Sequence, residues 1–123
     1  MSTKERLPPY SDEEVEAKID ELGLDGWYLE NGWLRRKYNT DGWPRTLMAV
    51  NAVGYLCEAA FHHADLAVTW GKLWVKLQTH SSGGITDKDF TLAQKIEEVV
   101  LWRPAEDGPH EGGNPDKFVF SKG

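Results

Sequence analysis

The chain has few of the features that would take 123 residues out of the ordinary globular class. There is one cysteine, Cys57, so no intrachain disulfide can form; it falls in an apolar stretch and reads as a small buried hydrophobe. Such sparse cysteine points to a reduced, cytoplasmic setting. No long apolar run is present. The longest, Leu47 to Phe61, is interrupted by Asn51 and Glu58 and is too short and too polar to span a membrane. Met1 to Tyr10 carries no apolar core of the kind a secretion signal needs. Long basic runs are also missing, and the formal net charge of -6 argues against a nucleic-acid groove. The one basic cluster, Arg35, Arg36 and Lys37, reads as a solvated strand edge.

What is present fits one domain. A chain of this length buries roughly two-thirds of its unfolded surface, enough for a core that needs neither disulfide nor structural metal. Residues 1–10 read as an N-terminal arm, 11–100 as the domain, and 101–123 as a Pro/Gly-rich tail. Ser11 to Leu22 has a capping box in Ser11 and Glu14, and an apolar stripe of Val15, Ile19 and Leu22, which predicts a helix. Trp27 to Leu29 and Leu34 to Tyr38 read as strands joined at Asn31-Gly32, a strong hairpin signal. Asn39 to Pro44 reads as a loop. Arg45 to Phe61 is apolar around much of its circumference and predicts a largely buried central helix with His62 and His63 on its last turn. Leu66 to Thr69 and Lys72 to Thr79 form a second hairpin around Trp70-Gly71. Ser81 to Gly84 reads as a flexible loop, and Thr86 to Val100 as a third helix with Thr86 and Asp89 as its capping box.

The order helix-hairpin-helix-hairpin-helix describes an α+β domain: an antiparallel four-stranded sheet with three helices on one face. The tail, with Pro104, Pro109 and Pro115 among Gly108, Gly112 and Gly113, reads as irregular, with a short strand at Lys117 to Ser121. Most of the six tryptophans are expected to pack in the core or the hairpins, and His110 to be exposed without a partner.

Three of the four histidines, His62, His63 and His80, border these elements. Imidazole titrates at about 6.5, close to working pH, so a cluster suits proton transfer. Taken one at a time, each histidine is better explained as an exposed side chain. For Asp89 alone, a cap and a site role explain the spacing equally well. Glu58, one turn before His62, shares a helix face with it. Neighbouring histidines on a helix point about 100° apart, which suits joint metal chelation poorly. Acid/base work requires only that several imidazoles line one cavity.

The stretch Glu58-Ala59-Ala60-Phe61-His62-His63, followed by Trp70, Thr79-His80, Gly84-Ile85-Thr86 and Asp89, resembles the signature of the pterin-4a-carbinolamine dehydratase family. That signature is an acidic residue, three spacers, a His pair, an aromatic, a Thr-His pair, a Gly-hydrophobic-Thr turn and an Asp. The similarity runs from about Trp43 to Val100, and the element order agrees with the family fold. The resemblance implies a cytoplasmic hydro-lyase that removes water from 4a-hydroxy-tetrahydropterin, the product left by an aromatic amino-acid hydroxylase. Quinonoid dihydropterin forms and the pterin is recycled, with no metal and no organic cofactor.

By the same resemblance His62 and His80 are the acid/base groups. His63 orients the pterin, Asp89 holds His80 or its loop, and Phe61, Thr79 and Ser81 join the histidines in binding substrate. A homodimer or homotetramer is implied, with neither membrane nor direct nucleic-acid partner. One departure stands out: Ala64 occupies the place after the His pair where the family usually has proline. The tail is also longer than the family norm. Two alternatives stay open: a non-catalytic interaction or assembly protein on the same scaffold, as some relatives are, or an enzyme acting on another reduced pterin.

Overall fold

A computed structural model describes residues 7–113 and 119–120. The first helix, α1 (Asp12–Glu21), starts where the capping box predicts: the Ser11 hydroxyl accepts from the Glu14 N–H at 3.2 Å, and the Glu14 carboxylate accepts from the Ser11 N–H at 2.8 Å. Asn31 and Gly32 both take positive φ, 52° and 80°, and close the two-residue turn between β1 (Trp27–Glu30) and β2 (Trp33–Asn39). A second hairpin follows α2 (Trp43–Ala60) and joins β3 (Asp65–Thr69) to β4 (Lys72–Leu77). Then comes α3 (Asp87–Val100). The strands form one antiparallel sheet in the order β1-β2-β4-β3. An α+β domain in the predicted element order results.

The period-two pattern sets the layers. Leu34, Tyr38, Leu73, Val75 and Leu77 are all buried on the inner face, where they pack with Val53, Phe90 and Ile96 from the helices. Each such side chain contributes about 1.5–3 kcal/mol on full burial. Cys57 is buried among them, and burial pushes its thiol pKa up.

Several expectations need correction. The Arg35-Arg36-Lys37 cluster is not a strand edge, because β2 lies inside the sheet between β1 and β4. Alternation turns Arg36 inward, where it is 2% exposed and grips the Glu97 carboxylate of α3 with two N–H groups, at 3.0 and 3.1 Å. Tyr38 (2.7 Å) and Trp27 (2.9 Å) donate to the same carboxylate, so one acid ties the sheet to α3. Burial, then Glu97, holds the Tyr38 phenol pKa far above its usual value. The tryptophans follow the expectation in place more than in depth: Trp27, Trp33, Trp70 and Trp74 belong to the two hairpins, but only Trp27 is buried, and Trp43, Trp70 and Trp102 are exposed. Pro44, expected in a loop, sits in the first turn of α2, where its missing N–H costs nothing. The predicted flexible loop is a tight turn: residues His80–Ser82 form one 3₁₀ turn, closed by Thr79 N–H to the Gly84 carbonyl at 2.8 Å.

The tail contains a short helix, α4 (Pro104–Asp107), and His110 has a partner, the ring of Trp102 with centroids 6.3 Å apart. Of the strand expected at Lys117–Ser121, most lies outside the described residues. Val119, 3% exposed, bridges to Thr40, and the Phe120 N–H donates to the Asn39 carbonyl at 2.7 Å. No described helix is long and apolar enough to cross a membrane.

Candidate active site

Helix α2 stops one residue earlier than the apolar pattern suggests. Phe61 adopts the left-handed region at φ 51°, and the His62 N–H reaches back to the Cys57 carbonyl at 3.0 Å. A non-glycine residue there costs about 1–2 kcal/mol. The bend lifts His62 and His63 off the helix, so the helical angle between neighbours no longer governs them. Glu58 therefore pairs with His63 (2.8 Å) and not with His62, as a continued helix would have it. Phe61 is 80% exposed and packs edge-on against His63, centroids 5.4 Å apart.

His62 turns inward. Its Nε2 lies 2.6 Å from Asp89 Oδ1, on a carboxylate that is fully buried. The other oxygen, Oδ2, accepts from the Thr79 hydroxyl at 2.8 Å and from the Thr86 N–H at 2.9 Å. Cap and site roles thus share one side chain, an oxygen for each, with Thr79 joining the cap. The proton order follows. Thr79 donates to Asp89, so the Thr86 hydroxyl donates to Thr79 (2.8 Å) and itself accepts from the Lys88 N–H (3.2 Å). An acceptor-only carboxylate accepts a hydrogen bond from the Nε2 proton, which in the neutral ring leaves His62 Nδ1 with its lone pair. Asp89 accordingly holds His62 directly and reaches the next residue, His80, only through Thr79.

His80 opens the 3₁₀ turn and is exposed, with its ring edge-on to Trp33, centroids 5.9 Å apart. Lys76 Nζ lies 4.4 Å from the centre of the same Trp33 ring. The sequence reading missed both residues. They reach His80 only through the β2–β4 register, which pairs Leu34 with Leu77 and carries no local signal. Ser81 is exposed on the turn. The arm supports the turn from outside: Ser82 Oγ donates to the Leu7 carbonyl at 2.6 Å, Tyr10 N–H donates to the Ile85 carbonyl at 2.8 Å, and the Tyr10 hydroxyl donates to Asp87. Ala64 carries an N–H, which a proline would lack, and this backbone group partly offsets the rise that burial imposes on the Cys57 thiol. Its side chain packs on the core. The departure from proline thus exchanges a rigid φ for a backbone donor.

A cavity of about 980 Å³ opens beside His62, between the C-terminal half of α2 and the first half of α3. Its lining includes Leu56, Ala59 and Phe61 from α2 and its bend, and Lys88, Leu92 and Lys95 from α3. The structure therefore brings His62, Asp89, Thr79 and Thr86 into one hydrogen-bonded cluster, pairs His63 with Glu58, and sets His80 against Trp33.

Residues 8–99 match the family model described as pterin 4 alpha carbinolamine dehydratase. A protein of Aquifex aeolicus, named provisionally as a pterin-4-alpha-carbinolamine dehydratase, is 41% identical over 90 residues, which cover 73% of this chain and 89% of that protein. One from Roseiflexus sp., with the same provisional name, is 37% identical over 73% of this chain and 95% of its own length. Among solved structures, a transcriptional coactivator/pterin dehydratase from Brucella melitensis superposes with a TM-score of 0.68. It is 20% identical and covers 75% of this chain and 98% of that one. A pterin dehydratase-like protein, identified as a RuBisCO assembly factor in the alpha-carboxysome, gives a TM-score of 0.51 at 12% identity, covering 61% of this chain and 87% of that one. The chain belongs to the pterin-4a-carbinolamine dehydratase family.

Proposed function

We propose that this protein dehydrates a 4a-hydroxy-tetrahydropterin, with histidines as the acid and the base. One imidazolium protonates the 4a-hydroxyl, which leaves as water. Another imidazole takes the proton from N5, and a C4a–N5 double bond forms. The products are quinonoid dihydropterin and water, and solvent restores the two histidine protons. The observation that carries this reading is the buried Asp89 carboxylate, which fixes His62 at 2.6 Å while holding Thr79, the residue before His80. His62 Nδ1 is then a positioned proton-transfer atom. His80 is the second group, braced by Trp33, and His63 orients the ring with Phe61 and the backbone of Thr79, His80 and Ser81. A positioned proton donor is worth about 10²–10⁴ in rate.

The test is turnover of a synthetic 4a-carbinolamine. His62→Ala and His80→Ala should each lower kcat by at least about tenfold with the circular dichroism unchanged. A double variant that keeps the wild-type rate would overturn the reading. The protein is expected to act as a cytoplasmic homo-oligomer, a dimer or tetramer. Every residue of β3 is exposed on a sheet edge, and Trp43, Leu47, Met48 and Tyr55 are exposed on α2. The same apolar surface, with the names of the two structural neighbours, favours a second reading as an interaction or assembly protein. An active-site-intact chain inert toward the carbinolamine would select that reading.

A further inference from the structure

The cavity beside His62 is larger than a bare pterin ring needs. Pockets for small ligands span roughly 300–1,000 Å³, and this one, at about 980 Å³, lies at the top of that range. It is also organised along one direction. Lys88, Thr91, Leu92 and Lys95 recur at helical spacing and share one face of α3. Asp89, which holds His62, is in the first turn of that helix, and Lys95 is six residues on, about 9 Å along the axis. Helix α2 runs back from His62 in step, contributing Ala60, Ala59 and then Leu56. From His62 outward, the groove therefore has an apolar floor and ends at an ammonium group.

The charges on the groove favour an anion. Asp87 is the one acid in the lining, and its carboxylate is taken by the Tyr10 hydroxyl. Lys88 has no ion-pair partner among the described residues. Lys95 pairs with Glu98 at 2.8 Å, but both side chains are more than half exposed. An exposed pair of this kind is worth about 0.2–1 kcal/mol, so a ligand anion can replace it.

Building on the dehydratase reading above, we propose that the preferred substrate is a reduced pterin with an extended side chain, apolar near the ring and ending in a carboxylate or phosphate. The ring stands at His62, the spacer crosses Ala59, Leu56 and Leu92, and Lys95 receives the anion, while Lys88, seven residues earlier and about 10.5 Å back along the helix axis, lies at the ring end.

The experiment compares three 4a-carbinolamines on the full chain: one with a 6-methyl group, one with a p-aminobenzoylglutamate side chain, and one with a phosphorylated alkyl side chain. The expected result is a kcat/KM at least about tenfold higher for one or both anionic substrates than for the 6-methyl compound, carried by KM. Whichever is preferred identifies the terminal group. Lys95→Glu should bring that ratio down toward one, and Lys95→Arg should restore most of it. Equal kcat/KM for all three substrates, or a ratio that Lys95→Glu leaves untouched, overturns the inference while the dehydratase reading stands. No turnover of any of the three overturns both.

Discussion

Two histidine–carboxylate pairs sit one residue apart in this chain, and they differ in almost everything except distance. His62 meets Asp89 at 2.6 Å, with side chains 14% and 0% exposed; His63 meets Glu58 at 2.8 Å, with side chains 53% and 74% exposed. The first carboxylate has two further donors that fix its orientation, while no further donor to Glu58 is present among the described residues. Water competes freely for the second pair and hardly at all for the first, so similar lengths carry different consequences. A buried acceptor with all its donors in place can hold an imidazole to one tautomer and one pose. An exposed one holds its imidazole loosely, which suits a ring that must adjust to a ligand. The left-handed Phe61 makes both possible, since it turns the two adjacent histidines to opposite surroundings.

The strongest way to break this contrast is at Asp89. Asp89→Ala leaves the Thr79 hydroxyl, the Thr86 N–H and the His62 ring without their acceptor. It should cost at least about 3 kcal/mol in urea unfolding, since three donors lose their acceptor at about 1–3 kcal/mol each. Asp89→Asn keeps the shape but turns an NH₂ toward one of three donors, leaving about 1–3 kcal/mol of unmet desolvation. Turnover should fall by about 10²–10⁴ because the His62 tautomer is no longer fixed. An Asp89→Asn variant within threefold of the wild-type rate would remove the basis for treating the buried pair as special. Phe61→Gly comes next. Glycine relieves the left-handed strain, and with the ring 80% exposed little burial is lost, so stability should rise by up to about 1 kcal/mol. Turnover should drop as His63 loses its packing partner. A stability loss would mean that the bend is held by the ring and not tolerated in spite of it.

Much of this fold was legible because its signals are local. Two capping boxes, an Asn-Gly turn and one alternating strand place most elements to within a residue or two. The exceptions have physical causes. Pro44 reads as a loop residue, yet a helix N-terminus tolerates it. Arg36 reads as surface because nothing in its neighbourhood announces Glu97, sixty-one residues away. The candidate site was legible as a residue set and not as a wiring diagram. Spacing placed Glu58 on the face of His62, and the family resemblance gave Asp89 to His80 or its loop, whereas one left-handed residue set Glu58 against His63 and Asp89 against His62, with Thr79 linking Asp89 to the loop. Trp33 and Lys76 had no signal at all, because strand pairing is non-local.

Smaller effects sharpen the comparison from the exposed side. Glu58→Gln should change stability by no more than about 0.5 kcal/mol, and what effect it has should fade in 0.5 M salt. A loss matching that of Asp89→Asn would mean that exposure does not divide the two pairs.

The mildest test uses the other acid on the first turn of α3. Asp87 faces the arm where Asp89 faces His62, and the hydrogen bond it accepts from Tyr10, followed by burial, pushes the phenol pKa up to about 12. A folded-state pKa above the unfolded value of about 10 means that the proton is held more tightly in the native state. The stabilisation is therefore complete below about pH 10 and is lost as pH rises toward 12. Wild type should lead Tyr10→Phe in unfolding midpoint at pH 8, and the lead should close between pH 10 and 12. No lead at pH 8 would mean that Tyr10 holds the arm by packing on Phe90, whose ring centroid is 5.7 Å away and which a phenylalanine would also meet, and not through the acid.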